Sequence, residues 1–399
     1  MAGWLFLIAM LAGALVVLNA AKPSVGPYSR VPSWLLAFLT TDLAFHHIAL
    51  QLLVAAGFIW AGALETLPGK LALAVLLASS AWIVILWLPN LLADSATGAV
   101  ADKFDLDEVE AIPHGLLWVP LRRLRRGVAV ARNVDYFRAA GRVLKMDIYR
   151  SLSGKERRPA LVYLHGGGWV MGDKCNQGLP LCNHLAKLGW VCANANYRLS
   201  PGATWPDHCV DAKAAVAWLR EHADEWNVDP DFIAIAGGSA GGHIAAMAAL
   251  TPGDPELQPG FESSDTSIQA AVTFYGVLDM TNRLGVHNPE FLTKLVGPHV
   301  LKAFPDTEPE RFSAASPRTH VSRASQPWLI LQGGADTLTP SAEARDFADA
   351  LHESSDHPVV YAELPAAQHA FDIYYSHRAI AAVELTARFL ATTYRQSRR

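Results

Sequence analysis

Three long apolar stretches open the chain, before any strand-like pattern. No ionisable side chain lies between Gly3 and Ala21, and further apolar runs cover residues 43–64 and 71–92. Runs of this length are typical of helices that cross a bilayer. A cleaved signal peptide is the competing interpretation, but its positively charged first segment is missing. Three runs in series therefore predict an N-terminal membrane domain over residues 1–92, with about three transmembrane helices that contact membrane lipids.

Charges beside these runs predict the orientation. Lys22 and Arg30 lie between the first two runs, whereas Glu65 and Lys70 lie between the next two. Positively charged loops tend to remain in the cytoplasm. Three crossings would then leave the rest of the chain on the cytoplasmic side.

A histidine pair lies inside the second run. His46 and His47 could bind haem or a metal if they sat at membrane depth. Because no partner histidines follow at helical spacing, we predict instead that they lie near the membrane interface.

Residues 93–126 change character. The first part is acidic and polar, and the second combines Trp118 and its apolar neighbours with the four arginines Arg122, Arg123, Arg125 and Arg126. This pattern predicts an amphipathic linker or flap that lies at the membrane interface or over a site in the following domain. A solvated basic turn is the alternative.

Alternating strand and helix patterns fill residues 127–399. Apolar strand-like segments cover residues 127–134, 142–150, 161–164, 191–197, 232–236, 268–274, 328–332 and 359–364. Amphipathic helical stretches separate several of them, including residues 206–221, 341–352 and 379–394. Such alternation predicts an α/β fold with a mostly parallel eight-stranded sheet and helices on both faces. The proline-rich stretch 276–325 is too long for an ordinary loop, and we interpret it as a cap insertion.

The candidate chemistry begins at the fifth strand. Residues 232–242 read as a buried strand, a sharp turn and a small-residue helix, with Gly237-Gly-Ser-Ala-Gly241 at the turn. This G-x-S-x-G pattern suits a nucleophilic serine, Ser239, that stands above the sheet on a strained turn. An ordinary glycine-rich strand–helix turn is the alternative.

Other strand ends carry matching groups. His165-Gly-Gly-Gly168 ends an earlier strand, and consecutive glycines can aim backbone amides at a developing oxyanion. Asp336 and His369 follow the last two strands, at the edge where parallel strands deliver side chains. Asp279 and Asp372 are other acids that could serve His369, but Asp279 belongs to the cap stretch and Asp372 is only three residues from the histidine.

These motifs resemble those of the hormone-sensitive-lipase-like esterases, which have the α/β-hydrolase fold. The likeness rests on residues 165–168, 197–201, 229–230 and 239–242 with Asp336 and His369. It covers the chain from about Val128 to the C-terminus. It implies that Ser239 is the nucleophile, His369 the base, Asp336 its orienting acid, and the amides of Gly166, Gly167 and Ala240 the oxyanion donors. Many members have Asp before the serine; here it is Gly238, which leaves the subgroup open.

Composition adds little to this interpretation. The 399 residues are 51% hydrophobic and 18% charged, with a net charge of −4. The charged share is below the usual ~25% of soluble domains. Cys175, Cys182, Cys192 and Cys209 have neither C-x-x-C nor zinc-finger spacing, which favours reduced thiols.

The sequence therefore predicts a membrane-anchored serine hydrolase that cleaves small-molecule or lipid carboxylic esters. An arylformamidase-like amidase with the same triad and a catalytically silent membrane scaffold are the alternatives. We expect no cofactor, no metal and no nucleic-acid partner.

Overall fold

The structure is a computed structural model that describes residues 1–26, 28–153, 156–323 and 326–399. The strands within these residues are β1 (Val128–Ala139), β2 (Arg142–Ser151), β3 (Arg158–Leu164), β4 (Val191–Ala195), β5 (Val228–Gly238), β6 (Ala270–Phe274), β7 (Trp328–Gly333) and β8 (Val359–Leu364). The α-helices are α1 (Ala2–Ala21), α2 (Arg30–Asp42), α3 (Ala44–Trp60), α4 (Leu67–Trp87), α5 (Leu91–Lys103), α6 (Leu179–Lys187), α7 (Asp207–Glu221), α8 (Ala223–Trp226), α9 (Ala240–Leu250), α10 (Pro309–Ala314), α11 (Ser341–Ser354) and α12 (His377–Ser397).

The eight strands form one sheet in the order β1-β2-β4-β3-β5-β6-β7-β8. The pairs β1–β2 and β2–β4 are antiparallel, and all other neighbours are parallel. The central strands are almost continuously apolar because helices cover them on both sides. The predicted mostly parallel eight-stranded sheet is confirmed.

Two layers of helices bury the sheet. Helices α7, α9 and α11 share one hydrophobic core with alternate side chains of the central strands, such as Ile233 and Ile235. Helices α5, α6 and α12 share the other core with the intervening side chains, such as Ala234 and Ala236. This alternation follows from the two-residue period of a strand. It leaves the carboxyl ends of the parallel strands as the edge at which functional side chains collect.

The predicted cap insertion lies between β6 and β7. It contains a π-helical segment, Phe291–Leu301, followed by α10 and a 3₁₀ segment, Pro317–Arg323. A Cβ atom built on Gly168 would lie 3.6 Å from the Leu295 side chain, so the insertion reaches the glycine-rich loop after β3. Residues 324 and 325, at the end of the predicted insertion, lie outside the described residues.

The N-terminal helices pack mainly on one another. A Cβ on Gly3 would touch Thr66 and Gly69, and Val17 shares a cluster with Ile83, so α1 and α4 run side by side in the same direction. Helix α3 runs the opposite way: its last turns lie near the start of α1, where Phe58 stacks on Phe6, and its first residue, Ala44, lies near Val17.

Within the described residues, two helices are long and apolar enough to cross a membrane: Ala2–Ala21 and the extended segment Leu67–Lys103. The middle predicted span corresponds to α3, which is only 17 residues long. It passes the same test only when taken together with α2, from which it is bent by 92°. The break coincides with Leu43, whose backbone is not helical.

The segment predicted as a linker or flap begins as a helix. In α5 the small residues Ala93, Thr97 and Ala101 lie four residues apart and are buried. Two of them, Ala93 and Ala101, share a core with α12. Residues after α5 continue along α12, where Glu384 accepts a hydrogen bond from the Ile112 amide at 2.6 Å. Helix α5 and the residues after it therefore pack on α12, which covers the sheet, and so connect the apolar N-terminal helices to the catalytic domain.

Candidate active site

Ser239 lies on the turn between β5 and α9. Its backbone has φ 57° and ψ −121°, a combination that is strained for any residue with a side chain. The turn closes because glycines flank it: a Cβ on Gly237 would lie 2.3 Å from the Gly241 oxygen, and one on Gly241 would lie 2.1 Å from the Leu164 oxygen. Only hydrogen fits at these positions, and the serine side chain is left half-exposed.

Asp336 and His369 meet beyond the ends of β7 and β8. The imidazole Nδ1 of His369 lies 2.8 Å from Asp336 Oδ2, and both side chains are buried. Asp336 Oδ1 accepts the amides of Leu338 and Thr339 at 2.8 Å each, which fixes the carboxylate. An ionised carboxylate only accepts, so Nδ1 carries the proton and Nε2 is left as the basic nitrogen.

Tyr275, the residue after β6, links the serine turn to the histidine. Its ring centroid lies 4.4 Å from that of His369. A Cβ on Gly238 would lie 2.9 Å from the Tyr275 hydroxyl oxygen, so the same ring packs under the serine turn. The Ser239 amide donates to the Phe274 oxygen at 2.9 Å. Tyr275 therefore contacts both the serine turn and His369.

The two rival acids have other partners. Asp279 accepts from the hydroxyls of Thr281 and Ser316 and stabilises its own turn. Asp372 accepts from the hydroxyls of Tyr275 and Tyr163, and burial raises the pKa of its carboxyl. Neither carboxylate forms a hydrogen bond with His369 among the described residues, so Asp336 remains the candidate acid.

The glycine-rich loop after β3 lies against the serine turn. A Cβ on Gly166 would lie 3.0 Å from the Ser239 Cβ, and one on Gly167 would lie 2.0 Å from the Met171 oxygen. However, the Gly166 amide donates to the Gln177 side-chain oxygen at 2.7 Å. The predicted donor Gly166 is therefore occupied in this structure, whereas Gly167 and Ala240 stay candidates.

Sequence reasoning left Gly168 out of the oxyanion donors. Its φ of 60° continues the left-handed loop begun at Gly167, and neither amide donates to another group in the described part of the chain. Gly168 could have been proposed as an oxyanion donor from the sequence, because it is the last of the three consecutive glycines. Gln177 and Thr339 belong to no recognisable motif, so the sequence did not indicate either of them. The Thr339 hydroxyl lies 2.9 Å from Asp336 Oδ2.

The neighbouring histidines, His165 and His243, hold loops in place. His165 Nδ1 donates to the Gly166 oxygen at 2.8 Å, and its ring stacks on Tyr197. His243 accepts from Trp169 Nε1 at 3.2 Å and donates to the Ala315 oxygen at 2.7 Å. Burial lowers the pKa of His165, and lowers that of His243 to about 4, so both rings stay neutral at neutral pH.

The cysteines and the remaining histidine pair take no part in this arrangement. The four cysteines are unpaired, three of them buried. His47 Nε2 lies 3.1 Å from Gln51 Nε2 on α3. Among the described residues, no group of three histidine, cysteine or acidic side chains is arranged to hold a metal ion.

Comparisons with known proteins find esterases of similar sequence and fold. The BD-FAE family matches residues 146–351. The probable carboxylic ester hydrolase LipM of Mycobacterium tuberculosis is 46% identical over 69% of this chain and 64% of its own length. A butyrate-bound structure of Thermogutta terrifontis esterase 2 superposes with a TM-score of 0.57, at 29% identity, over 67% of this chain and 94% of that one. A structure of the same esterase phosphonylated by sarin gives a TM-score of 0.55 at 28% identity, over 67% of this chain and 94% of that one.

The match to LipM spans about two thirds of this chain. The family match contains Ser239, the glycine-rich loop, five whole strands (β3 to β7) and part of β2. The family match alone runs from β2 through α11, which is half of the chain. Because the matched relative is a probable carboxylic ester hydrolase and both solved structures are of an esterase, the resemblance to hormone-sensitive-lipase-like esterases is confirmed. The chain belongs to the BD-FAE family of α/β-hydrolases.

Proposed function

We propose that the protein is a serine carboxylic ester hydrolase in which Ser239, His369 and Asp336 form a catalytic triad. The observation that carries the proposal is the buried Asp336–His369 pair at 2.8 Å, which shares the Tyr275 ring with a serine on a strained strand–helix turn. The carboxylate orients the imidazole and holds the proton on Nδ1. Nε2 is then free to take the serine proton.

The reaction follows from these roles. Ser239 Oγ attacks the ester carbonyl while its proton moves to His369 Nε2. The amides of Gly167, Gly168 and Ala240 are the proposed oxyanion donors. The alcohol leaves with the proton from His369, and an acyl-enzyme remains. Water then adds to the acyl group and passes a proton to His369 Nε2. His369 returns that proton to Ser239 Oγ as the bond to the acyl carbon breaks and the carboxylic acid leaves.

The proposed substrate is a small-molecule or lipid ester. The butyrate-bound form of the Thermogutta terrifontis esterase supports a carboxylic acyl group, and its sarin-phosphonylated form supports a reactive nucleophile.

Two assays test this proposal on the full chain. A fluorophosphonate probe should label wild-type protein but not Ser239→Ala, and absence of labelling in wild type would favour a silent scaffold. A panel of p-nitrophenyl esters against aryl amides and arylformamides then separates esterase from amidase. We expect turnover of the esters; preferential turnover of the arylformamides would instead identify an amidase.

We further propose that α1, α3 and α4 anchor the protein in a membrane with the catalytic domain on the cytoplasmic side. The parallel packing of α1 with α4, and the opposite direction of α3, support three alternating crossings. Helix α2 begins at Arg30, after the loop that carries Lys22, and it contacts the catalytic domain. Both the helix and the domain therefore belong on the side that retains positive charge.

This topology predicts that a reporter fused after Arg399 behaves as cytoplasmic. A reporter inserted in the turn between α3 and α4, near Gly62, should behave as external, because one further crossing separates the two positions. Protease protection in intact cells and in permeabilised cells measures both. Digestion of the C-terminal domain by protease in intact cells would contradict this topology and place that domain outside.

The arginine-rich segment before β1 is proposed to face the lipid surface. Trp118 is 76% exposed, and Leu121, Arg122 and Arg123 line a surface cavity with Tyr374, close to the loop that carries His369. Arg125 is different: it is buried, and its guanidinium lies 3.2 Å from His184 Nδ1. Each exposed arginine near anionic lipid could contribute ~1 kcal/mol.

We therefore expect Trp118→Ala combined with glutamine at positions 122, 123 and 126 to lower hydrolysis of vesicle-embedded esters about tenfold or more. Turnover of soluble short esters should change less than twofold, because the triad lies elsewhere. Arg138→Gln with Arg142→Gln, at the β1–β2 hairpin, controls for loss of charge. Equal falls in both activities would make the segment a structural part of the hydrolase domain.

A further inference from the structure

Helix α2 lies along the loop that carries His369, although the two are separated by more than 300 residues of sequence. Trp34, Phe38 and Asp42 follow one another at four-residue spacing, so they share one face of the helix. Each of the three contacts a different part of residues 369–378. The helix predicted as part of the membrane domain therefore also packs against the loop that carries the candidate base.

The first contact is made to the catalytic histidine itself. The indole Nε1 of Trp34 donates a hydrogen bond to the His369 carbonyl oxygen at 2.9 Å. Its ring also meets the His369 imidazole edge to face, with centroids 5.9 Å apart and planes at 77°. Trp34 thus touches both the backbone and the side chain of the candidate base.

Two further contacts hold the rest of the loop. Phe38 stacks on Tyr374 with ring centroids 5.9 Å apart. Asp42 accepts from the Ser376 hydroxyl at 3.1 Å and from Arg378 Nη1 at 3.2 Å, and the Asp42 and Arg378 side chains are fully buried. The last contact lies at the start of α12, where Ser376 also caps the helix through the Ala379 amide. The loop is thereby held at its beginning, middle and end by one helix.

The loop needs such support because it has no regular structure of its own. Between β8 and α12 it forms turns, with the left-handed residues Ala366 and Ala370 close to the histidine. Asp336 orients the imidazole ring of His369 through Nδ1. The hydrogen bond to the His369 backbone carbonyl comes from Trp34. A displacement of about 1 Å at a catalytic group can lower the rate by about a hundredfold.

We propose that Trp34 is a positioning residue for His369, and that α2 is required for the rate of the chemical step rather than only for membrane attachment. The inference rests on the proposed function, since it assigns His369 as the base. The hydrogen bond fixes the loop backbone, and the indole ring limits rotation of the imidazole. Substrate binding does not depend on this contact, so the effect falls on kcat.

The test uses the full chain purified in detergent, with a soluble p-nitrophenyl ester. Trp34→Phe keeps an aromatic ring but removes the N–H donor, and we expect kcat to fall about threefold to tenfold with KM changed less than twofold. Trp34→Ala removes both contacts and should lower kcat further, to about a thirtieth or less. The rate of fluorophosphonate labelling should fall in parallel, because it reports activation of Ser239.

Two controls separate positioning from loss of stability. Trp60→Phe changes a tryptophan that is 92% exposed on α3 and should leave kcat unchanged. Phe6→Leu weakens the packing among the N-terminal helices without touching the loop, and it calibrates how much a loss of unfolding midpoint alone changes kcat. If Trp34→Ala does not fold, the ring-retaining variant and Phe38→Leu decide the question.

The outcomes are distinguishable. Wild-type protein that neither reacts with the probe nor hydrolyses any ester overturns the proposed function and this inference together. Active wild type with kcat of the Trp34→Phe and Phe38→Leu variants within twofold overturns the positioning role alone. The positioning role is also overturned if the Trp34 variants and Phe6→Leu lose the same amount of unfolding midpoint and kcat falls no further in the Trp34 variants than in Phe6→Leu. A selective fall in kcat supports it.

Discussion

Ser239→Ala is expected to lower ester turnover by about 10⁴-fold or more, because removal of a triad nucleophile leaves only binding and oxyanion stabilisation. Alanine carries nearly the same backbone strain as serine at φ 57°, so the turn should keep its shape. The kcat with a soluble p-nitrophenyl ester measures the effect, and unchanged circular dichroism establishes that the variant is folded.

The matched control is Ser263→Ala, which changes an exposed serine on a loop remote from the strand ends. It should keep full activity. Retention of more than a tenth of wild-type turnover by Ser239→Ala would remove this serine from the mechanism and return the turn to an ordinary glycine-rich connection.

Asp336→Asn should lower kcat by about 10⁴-fold, through the tautomer of His369. The amide group would face Nδ1 with N–H donors, because the other carboxylate oxygen is held by the amides of Leu338 and Thr339. Nδ1 would then accept and Nε2 would carry the proton, so that Nε2 could no longer take the proton of Ser239. The size of the side chain hardly changes, and the fold should survive.

Asp349→Asn, on the exposed side of α11, is the control for the same chemical change. Asp279→Asn and Asp372→Asn provide the comparison among the three acids. A small loss of kcat in Asp336→Asn together with a large loss in either of the other two variants would assign the role of orienting acid to that other residue. For Asp372 a partial loss is expected in any case, because it anchors the Tyr275 ring that packs against His369.

The chemistry of the site could be predicted from sequence because it is encoded locally. A glycine on each side of Ser239 permits the strained turn, and an apolar strand before it delivers the serine to the edge of the sheet. The same reasoning located Asp336 and His369 after their strands. Each inference needs only residues that are close together along the chain.

Residue positions favoured Asp336 over the other two acids, but a local pattern does not show which side chains and backbone amides meet in space. Asp336, Asp279 and Asp372 all follow apolar segments, and only the packed structure shows which one lies 2.8 Å from Nδ1 of His369. The Gly166 amide looks available in sequence, but it donates to the side chain of Gln177, farther along the same connection between β3 and α6. Side-chain hydrogen bonds of this kind depend on loop geometry, which no residue pattern specifies.

The sequence by itself determined the order of the motifs along the chain, the buried strands and the apolar N-terminal helices. These follow from hydrophobic periodicity and from the conformational freedom of glycine. Only the tertiary structure decided that α2 bends by 92° from α3 and brings Trp34 against His369, 335 positions away. The physical reason is that this docking is a sum of weak contacts. One indole hydrogen bond, one aromatic stack and one buried ion pair act together there, and none of them leaves a pattern in its own segment.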